Sequence, residues 1–376
     1  MAKSANGMGT IRKRPDGRWE GRYTAPDGRQ RSVYGHTKSE CADKLRMKLA
    51  EISTGTYFEA SAMTLAQWLD LWLKEYTDHI KPTTRHNYTS YMETHYKPEI
   101  GAVKLSRLTP MHIQAVVNKL QRRGLALSTL HSSLLSLSSA LSTACRFGMI
   151  PSNPCAKVTL RKKEEREMVI IDRQDIPAFV AAAEKRKHGD AFILLFQTGI
   201  RSGELRGLRW SDIDFDNRVM TISRQLGQVG KEYMILSPKN GKSRNIALMD
   251  DTVDLLKRHR AKQLEARVKS QHWSEEEIDR DLVFVKNDGT HFSTWLLEQA
   301  IHPLGKEIGL PGLRVHDLRH SYAVAALRSG IDPKTVQNNL GHASAKMTLD
   351  VYSKYTDDMG REAADKMAQY WKNNAR

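Results

Sequence analysis

The chain has 376 residues, a formal net charge of +16 and a pI near 9.7. This length allows two or three domains, and a hydrophobic content of 40% can supply their cores. The positive charge favours a polyanionic partner, with a merely solvated basic surface as the alternative. No apolar run approaches the roughly 20 residues that cross a bilayer, and the N-terminus lacks the apolar core of a signal peptide. The cysteines (Cys41, Cys145 and Cys155) have no paired metal-ligand spacing and indicate a reducing compartment. We therefore expect a cytoplasmic protein with no membrane partner.

Residues 9–52 predict a small module of three strands and one helix. Two turn signals, at 15–17 and 25–28, separate three short segments, and Trp19 and Tyr23 alternate with polar residues. Thr37 and Glu40 form a capping-box pattern that opens a helix. A sheet backed by one helix leaves one basic face that can enter a major groove; a solvated face is the alternative. The candidate DNA-binding residues are Arg12, Arg14, Arg18, Arg22, Arg29 and Arg31.

The next segment predicts a helical domain. Thr64 and Gln67 form a second capping box, and later helices open at Pro82 and at Thr109. Threonines and serines at these helix starts either bond phosphates or act as ordinary caps, so Thr84 and Arg85 are further DNA-binding candidates. The first helix carries an apolar stripe that predicts a core: Leu65, Trp68, Leu69, Trp72 and Tyr76.

From residue 168 the chain is mostly helical, with strands near 218–224, 232–237 and 243–248. Gly199 breaks an apolar helix and places Arg201 beside the turn, three residues before Glu204. A guanidinium held in this way can grip two phosphate oxygens, or it can simply pair with Glu204 at the surface.

Five more residues carry candidate chemistry. Lys239 lies on a predicted turn, where its side chain can either donate a proton or simply be solvated at the tip of the turn. His316 and Arg319 are three apart and therefore share a helix face. His342 follows a helix break, and Tyr352 lies ten residues later. A lone histidine or tyrosine is more often a packing residue, and a lone lysine is more often solvated. Their joint occurrence in a basic protein points to chemistry on a nucleic-acid backbone.

The order of these residues resembles the tyrosine recombinases, the integrase family of phages and conjugative transposons. That family has the pattern Arg, Lys, His-x-x-Arg, His or Trp, and Tyr. Ala247 stands where a proline is common in the family. The spacing after His342 leaves Tyr355 as a rival nucleophile, although the T-L-D-V-Y context favours Tyr352. The matching segments are T-G-I-R-S-G-E-L with Arg201, S-P-K-N-G-K-S-R with Lys239, H-D-L-R-H with His316 and Arg319, L-G-H with His342, and T-L-D-V-Y with Tyr352.

The resemblance implies a multidomain chain that is mainly α with small β elements. The expected domains are an arm-type DNA-binding domain at 1–56, with a three-stranded sheet and a helix, a helical core-binding (SAM-like) domain at 57–160, and a mixed α+β tyrosine-recombinase catalytic domain at 161–376. A C-terminal helix at 359–371 would pack on a neighbouring protomer or on its own domain.

The same resemblance implies a role for each site residue. Arg201 and Arg319 would neutralise the phosphate, and His342 would donate a hydrogen bond to it. Tyr352 would attack the phosphorus while His316 accepts its proton, and Lys239 would protonate the departing 5′ oxygen. No carboxylate cluster suitable for Mg²⁺ accompanies the motif, so we expect no metal and no cofactor.

The implied function is integration and excision of a mobile element or prophage through a 3′-phosphotyrosyl intermediate. The implied partners are double-stranded DNA at core-type and arm-type sites and three further copies of the chain in a synaptic homotetramer. An excisionase and a host DNA-bending factor are further candidate partners. The alternatives are a chromosome-dimer-resolving recombinase, a type IB topoisomerase, and a catalytically silent DNA-binding regulator.

Overall fold

The computed structural model describes residues 9–26, 28–53, 63–161, 168–238, 240–341 and 359–374. The chain divides into two compact units, Met1–Glu164 and Glu165–Arg376. Both are mainly helical with small antiparallel sheets, which confirms the predicted fold class. The predicted three-domain boundaries stay a prediction. Among the described helices, none is both long enough and apolar enough to span a membrane.

The N-terminal module begins with a three-stranded antiparallel sheet in the order β1-β2-β3, followed by one helix. The helix begins where the capping pattern predicts, because Thr37 Oγ1 accepts a 3.2 Å hydrogen bond from the Glu40 amide. The Glu40 carboxylate accepts from the amide of His36 at 2.8 Å rather than from Thr37. The elements are β1 (Thr10–Lys13), β2 (Trp19–Thr24), β3 (Gln30–Gly35) and α1 (Lys38–Ser53).

Helix α1 packs on one face of this sheet. Tyr23 and Leu45 are buried there, with 8% and 4% of their surface exposed. A Cβ atom at Gly21 would lie 3.2 Å from Cys41 Sγ, so glycine allows the helix to approach the central strand closely. The alternation of β2 then puts Glu20 and Arg22 on the opposite face.

The rest of the first unit is a bundle of helices that begins with the predicted capping box. The Gln67 amide donates to Thr64 Oγ1 at 3.3 Å, and the Thr64 amide donates to Gln67 Oε1 at 2.9 Å. One π-helical turn (Met92–Tyr96) connects the second and third helices of the bundle. The helices are α2 (Leu65–Glu75), α3 (Pro82–Tyr91), α4 (Lys97–Ile100), α5 (Pro110–Arg122) and α6 (Leu127–Arg146).

Tryptophans of α2 form the centre of this bundle. Trp68 is 1% exposed, and its indole N–H donates to the carbonyl of Ala140 at 3.1 Å. Trp72 donates to Thr143 Oγ1 at 3.2 Å, so each buried indole has a partner on α6. The predicted stripe is buried except for Tyr76, which is 36% exposed because it lies at the end of α2.

The second unit alternates helices with short strands. A three-stranded sheet has the order β4-β5-β8, and β6 with β7 forms a separate hairpin. Strands β5, β7 and β8 confirm the three predicted strands, whereas β4 and β6 were not predicted. The elements are α7 (Ile176–Glu184), α8 (Gly189–Thr198), α9 (Ser202–Arg206), β4 (Ile213–Asp214), β5 (Val219–Ile222), β6 (Gln225–Val229), β7 (Glu232–Leu236), β8 (Arg244–Ala247), α10 (Asp250–Lys269), α11 (Thr294–Glu307), α12 (Val315–Arg328), α13 (Pro333–Leu340) and α14 (Met359–Asn374).

Helix α8 is the centre of the second unit and is buried on nearly all sides. Phe192 and Leu194 are fully buried on it, and it packs against α7, α10 and α12. Gly199 ends the helix in the left-handed conformation, with φ of 65°. The chain therefore turns sharply at Gly199 and enters α9 directly afterwards.

Candidate active site

The structure places three of the six predicted catalytic residues. Arg201 lies immediately before α9, and His316 and Arg319 lie on the first two turns of α12. Lys239, His342 and Tyr352, with the rival Tyr355, lie outside the described residues. The described parts of the site therefore come from helix ends and from the strand after Lys239.

Arg201 is held by both its backbone and its side chain. Its amide donates to Glu204 Oε2 at 2.9 Å, and its Nη1 donates to Glu204 Oε1 at 3.0 Å. Its Nη2 donates to the carbonyl of Gly341 at 2.9 Å. The side chain is only 19% exposed, so the ion pair with Glu204 is not the surface pair considered above.

This placement of Arg201 requires a glycine at position 199. A Cβ atom there would lie 2.3 Å from a ring carbon of Tyr322 and 2.7 Å from a methyl of Leu340. The positive φ adds strain for any other residue. The turn that delivers Arg201 is therefore closed tightly against α12 and α13.

Arg319 bridges the C-terminal ends of two helices. Its Nη1 donates to the carbonyl of Gly199, after α8, at 2.7 Å, and its Nη2 donates to the carbonyl of Leu340, the last residue of α13, at 2.6 Å. Helix C-termini carry partial negative charge, which favours a cation there. Burial, and secondarily the charge of Arg201, lower the pKa of Arg319 to about 9. Arg319 is therefore still cationic at neutral pH, although only 3% of it is exposed.

Glu204 and Arg244 complete the cluster, and the sequence did not single out Arg244. Glu204 is fully buried and receives Arg244 Nη1 at 3.0 Å on one oxygen and Arg244 Nη2 at 2.6 Å on the other. Burial alone raises the pKa of Glu204, but hydrogen bonds from Arg244 and the charges of Arg244 and Arg201 outweigh it and lower the pKa. Glu204 is therefore a carboxylate shared by two arginines.

A cavity of about 700 Å³ opens beside this cluster. Asn240 closes one side, where its amide donates to the carbonyl of Gly341 at 2.8 Å. Among the described residues that line the cavity there are three cations and no carboxylate, so the cavity suits an anion. These lining residues are Arg201, Pro238, Asn240, Lys242, Ser243, Arg244, Gln337, Asn338 and Gly341.

His316 lies exposed at the start of α12, one turn before His320. The two rings meet edge to face, with centroids 4.6 Å apart. Burial, then the charges of His316 and Arg319, lower the pKa of His320 to about 4. His320 is therefore neutral at physiological pH, and His316 is the more accessible imidazole of the pair.

Two of the predicted DNA-binding arginines of the N-terminal module donate to a buried carboxylate. Glu20 is 2% exposed on the face opposite α1, and it accepts from Arg12 Nε at 2.7 Å and from Arg22 Nε at 3.4 Å. Arg14 and Arg18 lie over the Tyr34 ring, at 5.6 and 5.7 Å from its centroid. Arg18 itself pairs with Asp16 at 2.7 Å, and Arg29 and Arg31 lie at the other end of the sheet, before and on β3.

The two candidates in the helical bundle lie on the first turn of α3. Arg85 Nη1 donates to Asp78 at 3.2 Å and Nη2 donates to the carbonyl of Leu73 at 3.2 Å. The amide of Thr84 donates to the carbonyl of Lys81 at 2.9 Å. Arg85 therefore ties α3 to the end of α2 and still leaves 44% of its side chain exposed.

Comparison with known proteins identifies two matching family models. The phage integrase family matches residues 169–359, half of the chain, and the N-terminal SAM-like domain of phage integrases matches residues 64–121. A protein of Caldanaerobacter subterraneus named "Tyrosine recombinase XerC-like" is 27% identical over 342 residues, which cover 86% of this chain and 88% of that protein. The putative prophage phiRv2 integrase of Mycobacterium tuberculosis is 27% identical over 362 residues, 91% of this chain and 90% of that protein.

A solved structure shares the fold. The integrase of transposon Tn1549, solved in complex with transposon right-end DNA, is 23% identical and matches with a TM-score of 0.69 over 81% of this chain and 100% of that chain. The family model spans every predicted catalytic residue from Arg201 to Tyr352. The chain therefore belongs to the phage integrase family and is a tyrosine site-specific recombinase.

Proposed function

We propose that this recombinase cuts and rejoins double-stranded DNA through a covalent bond between Tyr352 and a 3′ phosphate. The observation that carries the proposal is a cluster of three arginines beside an open cavity: Arg201 and Arg244 share the carboxylate of Glu204, and Arg319 donates to the carbonyl of Gly199. This cluster has two positive charges more than negative ones, which matches the charge that develops on a phosphodiester under attack.

In the proposed step, the phenolic oxygen of Tyr352 forms a bond to phosphorus and the bond from phosphorus to the 5′ oxygen breaks. His316 accepts the phenolic proton, and Lys239 gives a proton to the departing 5′ oxygen. Arg201 and Arg319 neutralise the nonbridging oxygens, and His342 donates a hydrogen bond to one of them. Attack by a 5′ hydroxyl of another strand reverses the step, so the bond energy is retained and no nucleotide cofactor enters.

The arginines support this role because they are already in place. Arg319 is held between two helix ends, and Arg201 is held by Glu204 and Gly341. Donors that need no rearrangement during the reaction stabilise a transition state more than donors that must be ordered first. The guanidinium of Arg201 already lines the cavity.

A nicked suicide duplex of the core site tests the chemistry. The wild-type protein should form a covalent adduct visible in a denaturing gel, because the short strand diffuses away after cleavage. Tyr352→Phe should form none, since the nucleophile is missing. Tyr355→Phe is the matched control and should form the adduct as the wild type does. An adduct with Tyr352→Phe, or its loss with Tyr355→Phe alone, would contradict the assignment of the nucleophile.

We further propose three domains with separate tasks: 1–56 binds arm-type sites, 57–160 binds core-type sites, and 161–376 catalyses. The basic open face of the N-terminal sheet supports the first task, and the match of 64–121 to the SAM-like domain supports the second. Deletion of residues 1–56 should abolish arm-site binding and preserve cleavage of a bare core site. Loss of core cleavage would contradict this division.

The biological role that we propose is integration and excision of a mobile element, in the bacterial cytoplasm on chromosomal DNA. The prophage integrase of Mycobacterium tuberculosis, whose length this chain covers to 90%, supports that role. Four protomers would join two duplexes, with an excisionase and a host DNA-bending factor setting direction. Strand exchange between two duplexes distinguishes this role from a topoisomerase, which would relax supercoils without joining partners.

The alternative is a chromosome-dimer-resolving recombinase, because one relative is named a tyrosine recombinase and not an integrase. The N-terminal sheet with its arginines counts against it, because an arm-binding module has no task in a reaction that uses core sites alone. If deletion of 1–56 leaves recombination between two full-length natural sites unchanged, the chromosome-dimer alternative becomes the better one.

A further inference from the structure

Arg244 uses all three guanidinium nitrogens within the protein. Its Nη1 and Nη2 donate to the two oxygens of Glu204, at 3.0 and 2.6 Å. Its Nε donates to the carbonyl of Asn339 at 2.7 Å. The side chain is 12% exposed at the edge of the cavity. A bidentate pair with a buried carboxylate fixes both the position and the plane of a guanidinium.

These three bonds join three parts of the chain that carry the chemistry. Arg244 is the first residue of β8, five residues after Lys239. Glu204 lies in α9 and also holds Arg201. Asn339 lies at the end of α13, three residues before His342. The side chain of Arg244 thus connects three parts of the chain: strand β8, which follows Lys239, the carboxylate of Glu204, which holds Arg201, and the end of α13, which precedes His342.

We propose that Arg244 is a positioning residue of the recombinase site. Arg244 shares the Glu204 carboxylate with Arg201. As a result, one terminal nitrogen of Arg201 stays bound to the carbonyl of Gly341, and the guanidinium of Arg201 faces the cavity. This inference rests on the proposed DNA cleavage and extends it to a residue outside the family pattern quoted above.

The hydrogen bonds explain why Arg244 positions rather than contacts the phosphate. Arg319 donates with both terminal nitrogens to backbone carbonyls, and Arg201 donates with one terminal nitrogen to the carbonyl of Gly341 and with the other to Glu204. Arg244 instead faces a full negative charge with both terminal nitrogens. A phosphate would have to compete with a carboxylate already paired at 2.6 Å.

Loss of Arg244 has a defined consequence for Arg201. Glu204 would have both oxygens available to Arg201, and a bidentate pair between them would rotate the guanidinium of Arg201 away from Gly341. A displacement of about 1 Å at a catalytic group can reduce a rate roughly 100-fold. DNA affinity should change little, because it depends on many contacts away from this cluster.

The test compares single-turnover cleavage of the nicked suicide duplex with equilibrium binding of the same duplex. Arg244→Gln should cleave about 10- to 100-fold more slowly, with a Kd within about threefold of wild type. Arg224→Gln is the matched control, since Arg224 also pairs with a poorly exposed carboxylate, Asp212, but does not line the cavity. It should cleave within about threefold of wild type. Equal cleavage by Arg244→Gln and wild type would overturn the proposal.

Arg244→Lys keeps the charge and removes the fixed three-donor geometry. It should fold and bind DNA as wild type does, yet remain at least about fivefold slower in cleavage, because an ammonium cannot make the bidentate pair. Full recovery of the rate with lysine would show that charge alone suffices and would overturn the proposal. This variant also decides the matter if Arg244→Gln does not fold.

The combination of Arg244→Gln with Arg201→Lys separates positioning from direct contact. If Arg244 acts through Arg201, the double variant should cleave no more slowly than Arg201→Lys alone. A further loss of rate in the double variant, as large as the loss that Arg244→Gln causes in the wild type, would mean that Arg244 acts on the phosphate independently of Arg201, which would overturn the proposal. Absence of any adduct with the wild-type protein would instead refute the proposed function itself.

Discussion

Two carboxylates of this chain are each surrounded by arginines, Glu20 in the N-terminal sheet and Glu204 in the catalytic unit. Glu20 accepts from Arg12 and Arg22, and Glu204 accepts from Arg201 and Arg244. Both acids are buried, at 2% and 0% exposure. The two clusters therefore share their chemistry, and they differ in the freedom of the arginines.

The arginines around Glu20 are open to solvent, and those around Glu204 are not. Arg12 and Arg22 are 56% and 41% exposed, whereas Arg201 and Arg244 are 19% and 12% exposed. Exposed guanidiniums are screened by salt and change rotamer readily. Buried ones keep a fixed position and act in a medium of lower polarity. The first arrangement suits a surface that adapts to a DNA groove, and the second suits a site that must be ordered before the reaction.

The largest effect that this comparison predicts is that of Glu204→Gln. The substitution leaves two poorly exposed arginines without their counter-ion, which should lower the free energy of unfolding by about 3–5 kcal/mol. Cleavage of the suicide duplex should fall about 100-fold or more, since both Arg201 and Arg244 lose their anchor. Calorimetry should show a lower melting temperature for the unfolding of the catalytic unit.

Glu307→Gln is the control for Glu204→Gln. Glu307 pairs with Arg186 but is 43% exposed, so its loss should cost about 0–1 kcal/mol and leave cleavage unchanged. If Glu204→Gln melts and cleaves like Glu307→Gln, burial does not distinguish the two kinds of cluster.

Glu20→Gln should have a smaller effect, on specificity rather than on folding. Removal of one negative charge favours binding to any DNA, while release of Arg12 and Arg22 loosens their orientation toward base edges. The ratio of arm-site to random-duplex affinity should therefore fall about 5- to 10-fold, at the low end of what one bidentate base contact contributes. Competition binding at fixed salt measures this ratio.

Asp43→Asn is the matched control for this experiment. Asp43 is 60% exposed on α1 and pairs with Arg46, so its substitution removes the same charge without touching the open sheet face. It should raise affinity for both duplexes and preserve their ratio. An equal loss of specificity in both variants would show that net charge alone, not the geometry around Glu20, sets arm-site preference.

The local parts of both clusters could be predicted from the sequence, and the long-range parts could not. The turns and capping pattern around Thr37 predicted the N-terminal module, and the spacing of Arg201 and Glu204 gave their contact as one of two alternatives. The bonds from Arg244 to Glu204 and from Arg319 to Gly199 join residues 40 and 120 positions apart, and no local periodicity records them. They depend on how α8, α12 and β8 pack.

The burial of the Glu20 carboxylate could not be predicted from the sequence either. Strand alternation correctly puts Glu20 on the face away from α1, where a charged residue is expected to be solvated. The structure buries Glu20 because Arg12, Ser32 and Tyr34 on neighbouring strands cover it. Alternation assigns a side chain to a face of a sheet, and the sizes of the cross-strand neighbours decide its exposure.

The smallest effect that we predict is the response of the N-terminal cluster to pH. The hydrogen bond from Ser32, followed by that from Arg12, lowers the pKa of Glu20 from its ordinary 4.5 to about 2. A carboxyl whose folded pKa is depressed contributes stability above its unfolded pKa and loses it as pH falls through the folded value. Glu20 is therefore fully ionised from pH 8 down to pH 5. Over that range, the ratio of arm-site to random-duplex affinity should differ between wild type and Glu20→Gln by a constant factor. Arm-site competition binding at four pH values measures it. A ratio that collapses between pH 7 and pH 5 would mean that a histidine, rather than Glu20, organises the arginines of the sheet.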